Sequence, residues 1–168
     1  MKRRDDQLSA IFRPLIGQKP WQVGLGYGSF LTMEFGKRTR DSWVTRGERF
    51  SAVHGEWHLW LYQCDWKLMK HRKPVVSSDD KRDCIGPALA ILKGRALESV
   101  HIYDNNFDTD FIFAGGFTLR STGYSDEAPD EERWLLYMPH HKVLLNLPGM
   151  LVVKNSNEAN RVPLPALA

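Results

Sequence analysis

The chain lacks most of the features by which a sequence declares its chemistry. Its only cysteines are Cys64 and Cys84. Their spacing matches no zinc or thiol-redox pattern, and whether they pair with each other is left open at this level. Two isolated thiols suit a reducing compartment, so a bacterial cytoplasmic protein is the expectation. No run approaches the ~20 consecutive apolar residues that a membrane helix needs. The opening MKRRDDQLSA has early acids and no apolar stretch, which is not the pattern of a secretory signal. No phosphate-binding P-loop, no Gly-x-Ser-x-Gly elbow and no Cys-x-x-Cys pair occurs, so a serine or cysteine nucleophile has no support. The glycine-rich string Gly24-Leu25-Gly26-Tyr27-Gly28 precedes a strand instead of opening a helix, which makes it a hairpin turn and no dinucleotide site. Catalysis is therefore not the expectation.

The strongest positive feature is an internal echo at a spacing of 77 residues. Asp6/Asp83, Gly17/Gly94, Val23/Val100, Phe30/Phe107, Thr32/Thr109, Thr45/Thr122 and Trp57/Trp134 are identical at that offset. Leu8/Ile85, Phe12/Leu89, Leu15/Leu92 and Leu68/Leu145 keep apolar character. Elements recur in the same order. A short helix is predicted over 6–13, stopped by Pro14 and Gly17. A hairpin follows, with Trp21, Val23 and Leu25 alternating before Leu31, Met33 and Phe35, and Tyr27-Gly28-Ser29 as its turn. Residues 37–54 read as a polar, basic loop with a short strand near Trp43-Val44. Residues 56–68 read as one central strand, apolar on both faces, and 70–83 as a linker. In the second half Pro87 suits the first turn of a helix ended by Gly94. Strands follow at 96–103, at 109–121 with a bend or break at Gly115-Gly116, and in RWLLYMP, KVLLNL and GMLVVKN.

The expected fold is α+β: mostly antiparallel β with two short helices, an internal duplication of an α-β-β-(β)-β unit around a pseudo-twofold axis, with one continuous or barrel-like sheet. Residues 1–154 form a single globular domain of two similar halves, 6–73 and 83–154, and 155–168 form a mobile tail.

The net charge of +3 conceals an asymmetry, because residues 1–77 hold 14 Lys and Arg against 7 Asp and Glu while residues 78–168 hold 9 against 13. Such a dipolar layout bears on partner choice more than on fold. The two loops that should correspond differ in sign: 37–54 is basic, and 120–133 is acidic.

Three candidate sites follow. The first is a partner-binding surface made of Trp43 with Arg40, Arg46 and Arg49, and of Asp126, Glu127 and Glu131 in the acidic loop. A tryptophan flanked by arginines has the character of an interface anchor. The second is His54-Gly-Glu56-Trp-His58, whose alternation in a strand puts two imidazoles and a carboxylate on one face, a donor set for a divalent metal in a ligand cleft between the halves. No other cofactor is indicated. The third is nucleic-acid binding through the basic runs Lys37-Arg38-Thr39-Arg40 and 67–73 near Trp43 and Trp66, opposed by the acidic second half. The leading expectation is a non-catalytic accessory or immunity-type protein that binds another protein, or itself through oppositely charged loops, with no membrane partner.

Overall fold

A computed structural model describes residues 8–26 and 30–156. The expected turn at 27–29, the first residues of the first helix and the tail beyond 156 lie outside the described residues. Leu8, Phe12 and Leu15 recur at helical spacing, and the first helix (α1, residues 8–12) ends where Pro14 cannot continue it. Alternating apolar residues then form β1 (Gln22–Leu25), β2 (Leu31–Thr45) and β3 (Glu48–Leu61). β4 (Asp65–Lys70) and β5 (Lys73–Ser77) precede α2 (Arg82–Leu89) and a 3-10 turn, Ala90–Leu92. The second half continues as β6 (Leu97–Ile102), β7 (Thr109–Phe113), β8 (Phe117–Thr122), β9 (Trp134–Met138), β10 (Lys142–Leu147) and β11 (Met150–Asn155).

These described strands form two antiparallel sheets rather than one continuous sheet. A six-stranded sheet runs β1-β2-β3-β9-β10-β11, and a five-stranded sheet runs β5-β4-β8-β7-β6. The chain crosses between them at Tyr62-Gln63-Cys64, which splits the predicted 56–68 strand into the end of β3 and the start of β4. Apolar faces on both sides of that segment record two separate burials. The predicted linker also contains a strand, β5, at whose exposed edge position Pro74 sits, where its missing N–H costs no central ladder bond. The second helix starts at Arg82 and encloses Pro87, five residues earlier than Pro87 at the first turn implies. Asn155 ends β11, and the Ser156 N–H donates to His141 O at 2.6 Å.

Residues 77 apart make equivalent, reciprocal hydrogen bonds where the two helices end. The Gly17 N–H donates to Leu97 O at 2.7 Å, and the Gly94 N–H donates to Pro20 O at 2.8 Å. Gln18 Nε2 donates to Pro14 O and Arg95 Nε donates to Ile91 O, at 2.7 and 2.8 Å. At the sheet edges β1 and β2 answer to β6 and β7, and the β10–β11 hairpin answers to β4–β5, each hairpin closing the sheet opened by the other half. The correspondence fails in the middle. Trp57 and Trp134 lie on β3 and β9, which are neighbours in one sheet, with Leu61 opposite Trp134.

The main core lies between the sheets and the helices. Leu31, Met33 and Phe35 from β2 meet Phe111, Phe113, Phe117 and Leu119 from the other sheet, all at most 1% exposed. Trp134 is fully buried; its ring packs edge-on against Phe12 of α1 (6.3 Å) and Phe111 of β7 (5.7 Å), and its Nε1–H donates to Thr109 Oγ1 at 3.0 Å. On the other face of the six-stranded sheet a smaller cluster gathers Trp60, Leu135, Val143 and Leu145.

Both cysteines are free, Cys64 buried and Cys84 exposed. Burial pushes the Cys64 thiol up from 9.0 to about 12, against smaller lowering by a Ser121 hydrogen bond. The thiolate is the nucleophile, so an alkylating reagent at about pH 8 should label Cys84 and spare Cys64 until the protein unfolds. Equal labelling of both thiols in the native state would contradict this. Because the folded-state value is raised, the associated stability is complete below the unfolded thiol's pKa. It declines as pH climbs from there towards 12.

Candidate functional site

Residues 37–54, expected as a loop, are a two-stranded β-ribbon. From Arg38 opposite Gly55 to Thr45 opposite Glu48, β2 and β3 pair only with each other. β1 reaches β2 only at Leu31–Glu34, and β9 reaches β3 only at His58–Leu61. The ribbon turns at Arg46 (φ 52°) and Gly47 (φ 81°), the paired positive angles of a two-residue hairpin turn whose twist matches its strands. Its backbone satisfies itself, so a polar sequence without a core can still be a strand.

Alternation sorts the side chains of this ribbon. One face carries Arg38, Arg40, Ser42 and Val44 of β2 and Arg49, Ser51 and Val53 of β3. The other carries Thr39, Asp41, Trp43 and Thr45 with Glu48, Phe50, Ala52 and His54. Every arginine of the paired strands falls on the first face, and both carboxylates fall on the second. Arg46 occupies the turn. Trp43 is not a freely exposed anchor: it is half-buried, stacked on Phe50 directly across the ribbon with ring centres 6.2 Å apart. Near the root, the Arg38 guanidinium lies over the Trp21 ring at 4.5 Å.

The acidic partner surface is only partly available. Glu127 is gripped by Arg133, whose Nε donates to Oε2 at 2.8 Å while Nη2 donates to Oε1. The Glu127 side chain is left 12% exposed. Asp126 is exposed and Glu131 half-buried. Among the described residues no ion pair joins this loop to the ribbon arginines.

The second candidate site changes membership. His54 and His58 do share a face, with ring centres 6.3 Å apart, but the carboxylate between them comes from β2. Phe35 pairs with Trp57 and Arg38 with Gly55, so β2 carries one extra residue opposite Glu56. At the bulge Glu56 is exposed beside Gly36, while Glu34, 1% exposed, lies in the regular ladder directly opposite His58. His58 Nδ1 lies 2.5 Å and His54 Nδ1 4.0 Å from Glu34 Oε1. Glu34 Oε2 accepts from the Gly55 N–H at 2.7 Å. Gly55 must be glycine for this, since a Cβ there would stand 2.4 Å from Phe35 O and 2.8 Å from Trp57 O. Each of Glu34, His54 and His58 offers one donor atom, all within 4.8 Å of one another.

Sequence reasoning missed Glu34 because it reads as one polar residue in an apolar strand. The available signal was that polarity itself, an acid between Met33 and Phe35. A separate hollow of about 670 Å³ lies between α1 and β6, lined by Phe12, Arg13, Glu98 and His101 among others. None of His54, Glu56 or His58 lines it. His140 and His141 form the turn after β9, as their sequence position implies.

Among the described residues no helix is long and apolar enough to cross a membrane. No protein-family model, no curated protein and no solved structure matches this chain.

Proposed function

We propose that this chain is a non-catalytic binding protein, of accessory or immunity type, that holds an anionic macromolecule against the arginine face of its β-ribbon. The observation that carries this reading is the sorting of charge along the ribbon: Arg38, Arg40 and Arg49 share a face with no carboxylate. Unopposed guanidiniums recognise carboxylates and phosphates through paired N–H donors. The rest of the ribbon makes no ladder with the sheet, so a partner can reach it without disturbing the fold.

Nucleic acid is the second reading, favoured by the ribbon itself. A two-stranded ribbon fits the major groove of duplex DNA. The test is fluorescence anisotropy with two labelled probes, a duplex of about 20 base pairs and polyglutamate, at several salt concentrations. Retention of polyglutamate alone supports a protein partner. Duplex binding that falls with salt at a log–log slope near −3, roughly −0.9 for each of three phosphates met, supports nucleic acid. In either case Arg38→Glu, Arg40→Glu and Arg49→Glu combined should weaken binding on the order of 100-fold, while Asp41→Asn with Glu48→Gln should not weaken it. Equal binding by the triple variant, or no binding of either probe at low salt, sinks the proposal.

We also infer that the chain arose by duplication of a unit of about 77 residues. Support comes from the reciprocal bonds of Gly17 and Gly94 and from the matched sheet edges. Divergence is then concentrated in the middle strands, where β2 and β3 extend into the ribbon.

A further inference from the structure

The geometry points to a divalent transition-metal site, best suited to zinc, formed by Glu34, His54 and His58 at the root of the ribbon. Two imidazoles and one carboxylate are a borderline-soft N/O set of the kind zinc takes, three protein ligands leaving a fourth position for water. The donor atoms already lie within 4.8 Å of one another, so small side-chain rotations close the set around an ion. Each ligand sits on paired backbone: Glu34 on β2 opposite His58 on β3, and His54 opposite Thr39 beyond the bulge. Glu34 also has its second oxygen fixed by the Gly55 N–H, the kind of outer contact that orients a metal-binding carboxylate.

A further atom needs a partner. His54 Nε2 is buried and makes no hydrogen bond, and a buried polar atom left unmatched is costly. Reorientation of the ring towards an ion changes which nitrogen faces the cluster and gives this imidazole a ligand role. On binding, the ion takes the place of the hydrogen bond between His58 Nδ1 and Glu34 Oε1. Entry is open. Gly55, which holds Glu34, and Tyr137, whose ring centre is 5.8 Å from that of His58, both line a surface hollow of about 430 Å³. Set at the base of the ribbon, the ion ties β2 to β3 where the arm leaves the sheet.

The test is titration of the metal-stripped full chain with Zn²⁺ alone in a calorimeter, with Co²⁺ as a spectroscopic stand-in. One ion should bind per chain with micromolar or tighter affinity, and Co²⁺ should show the visible bands of a low-coordinate N/O site. His54→Ala should weaken binding on the order of 100-fold without disturbing the fold, and Glu34→Gln should do the same. Glu56→Ala and the double variant His140→Ala with His141→Ala should leave affinity unchanged. Should Glu34→Gln fail to fold, His54→Ala and the Co²⁺ spectrum decide alone. Absence of saturable one-to-one binding, full affinity in His54→Ala, or a loss in Glu56→Ala as large as that in His54→Ala would overturn the site. Each readout is independent of whether the ribbon binds a polyanion.

Discussion

Trp134→Ala should remove about 3–5 kcal/mol of stability and lower the thermal midpoint by roughly 10 °C, at the ~2–4 °C per kcal/mol expected for a chain of this size. Three separate losses combine. The side chain is wholly inaccessible to solvent, so its truncation leaves a cavity that a β-strand held on both sides by β3 and β10 cannot collapse to fill. Two edge-to-face ring contacts go with it, one to each of the elements that β9 must hold: Phe12 on α1 and Phe111 in the opposite sheet. Thr109 Oγ1 also loses the indole N–H and keeps only the Asn146 Nδ2 donor at 3.2 Å. Trp57, its partner at the 77-residue spacing, is 6% exposed and should cost less. Urea unfolding checks this; a loss below about 1 kcal/mol would mean that Trp134 does not bridge the two sheets.

Arg133→Ala should cost about 3 kcal/mol, at the low end of the range for breaking a buried ion pair by deleting one partner. Its guanidinium meets Glu127 with two donors and Asn106 O with a third, and lies 3.5 Å from Asp108. The low end applies because Glu127 and Asp108 are 12% and 20% exposed and regain some water when the arginine is gone. Arg133 thereby fastens the 124–132 segment to the 104–108 turn. Deleting both partners, Arg133→Ala with Glu127→Ala, should recover part of the loss, because the more buried of the two carboxylates is then no longer left unpaired. Arg133→Lys should not restore it, since a point charge cannot reproduce the two-donor fork. Simple additivity of the two single losses would refute the coupling.

Much of the scaffold was legible before any coordinates. Val23 and Leu25 facing Leu31 and Met33, the break at Gly115-Gly116, and the three strands after Arg133 all follow from period-two alternation punctuated by glycine and proline. Each is a local property. Two misreadings share a single physical origin. Residues 37–54 looked like a loop because none of them enters a core, yet a ribbon needs only its own backbone pairing and a competent turn. The strand at 56–68 looked continuous because alternation cannot register that Leu61 and Asp65 belong to different sheets.

The candidate sites divide in the same way. His54 and His58 were recoverable because spacing along one strand fixes their common face. Glu34 was not, since its place beside them depends on β2 being the neighbour of β3 and on the register that sets it opposite His58. Glu127 counted as surface charge until Arg133 was found beside it. By itself the sequence determined that the chain is mostly strand with two short helices and which side of most core strands is apolar. The tertiary structure alone decided which strands are neighbours, which carboxylate meets the histidines and which charges are spent inside. Alternation specifies the face of a strand, and only the folded chain specifies what lies across from it.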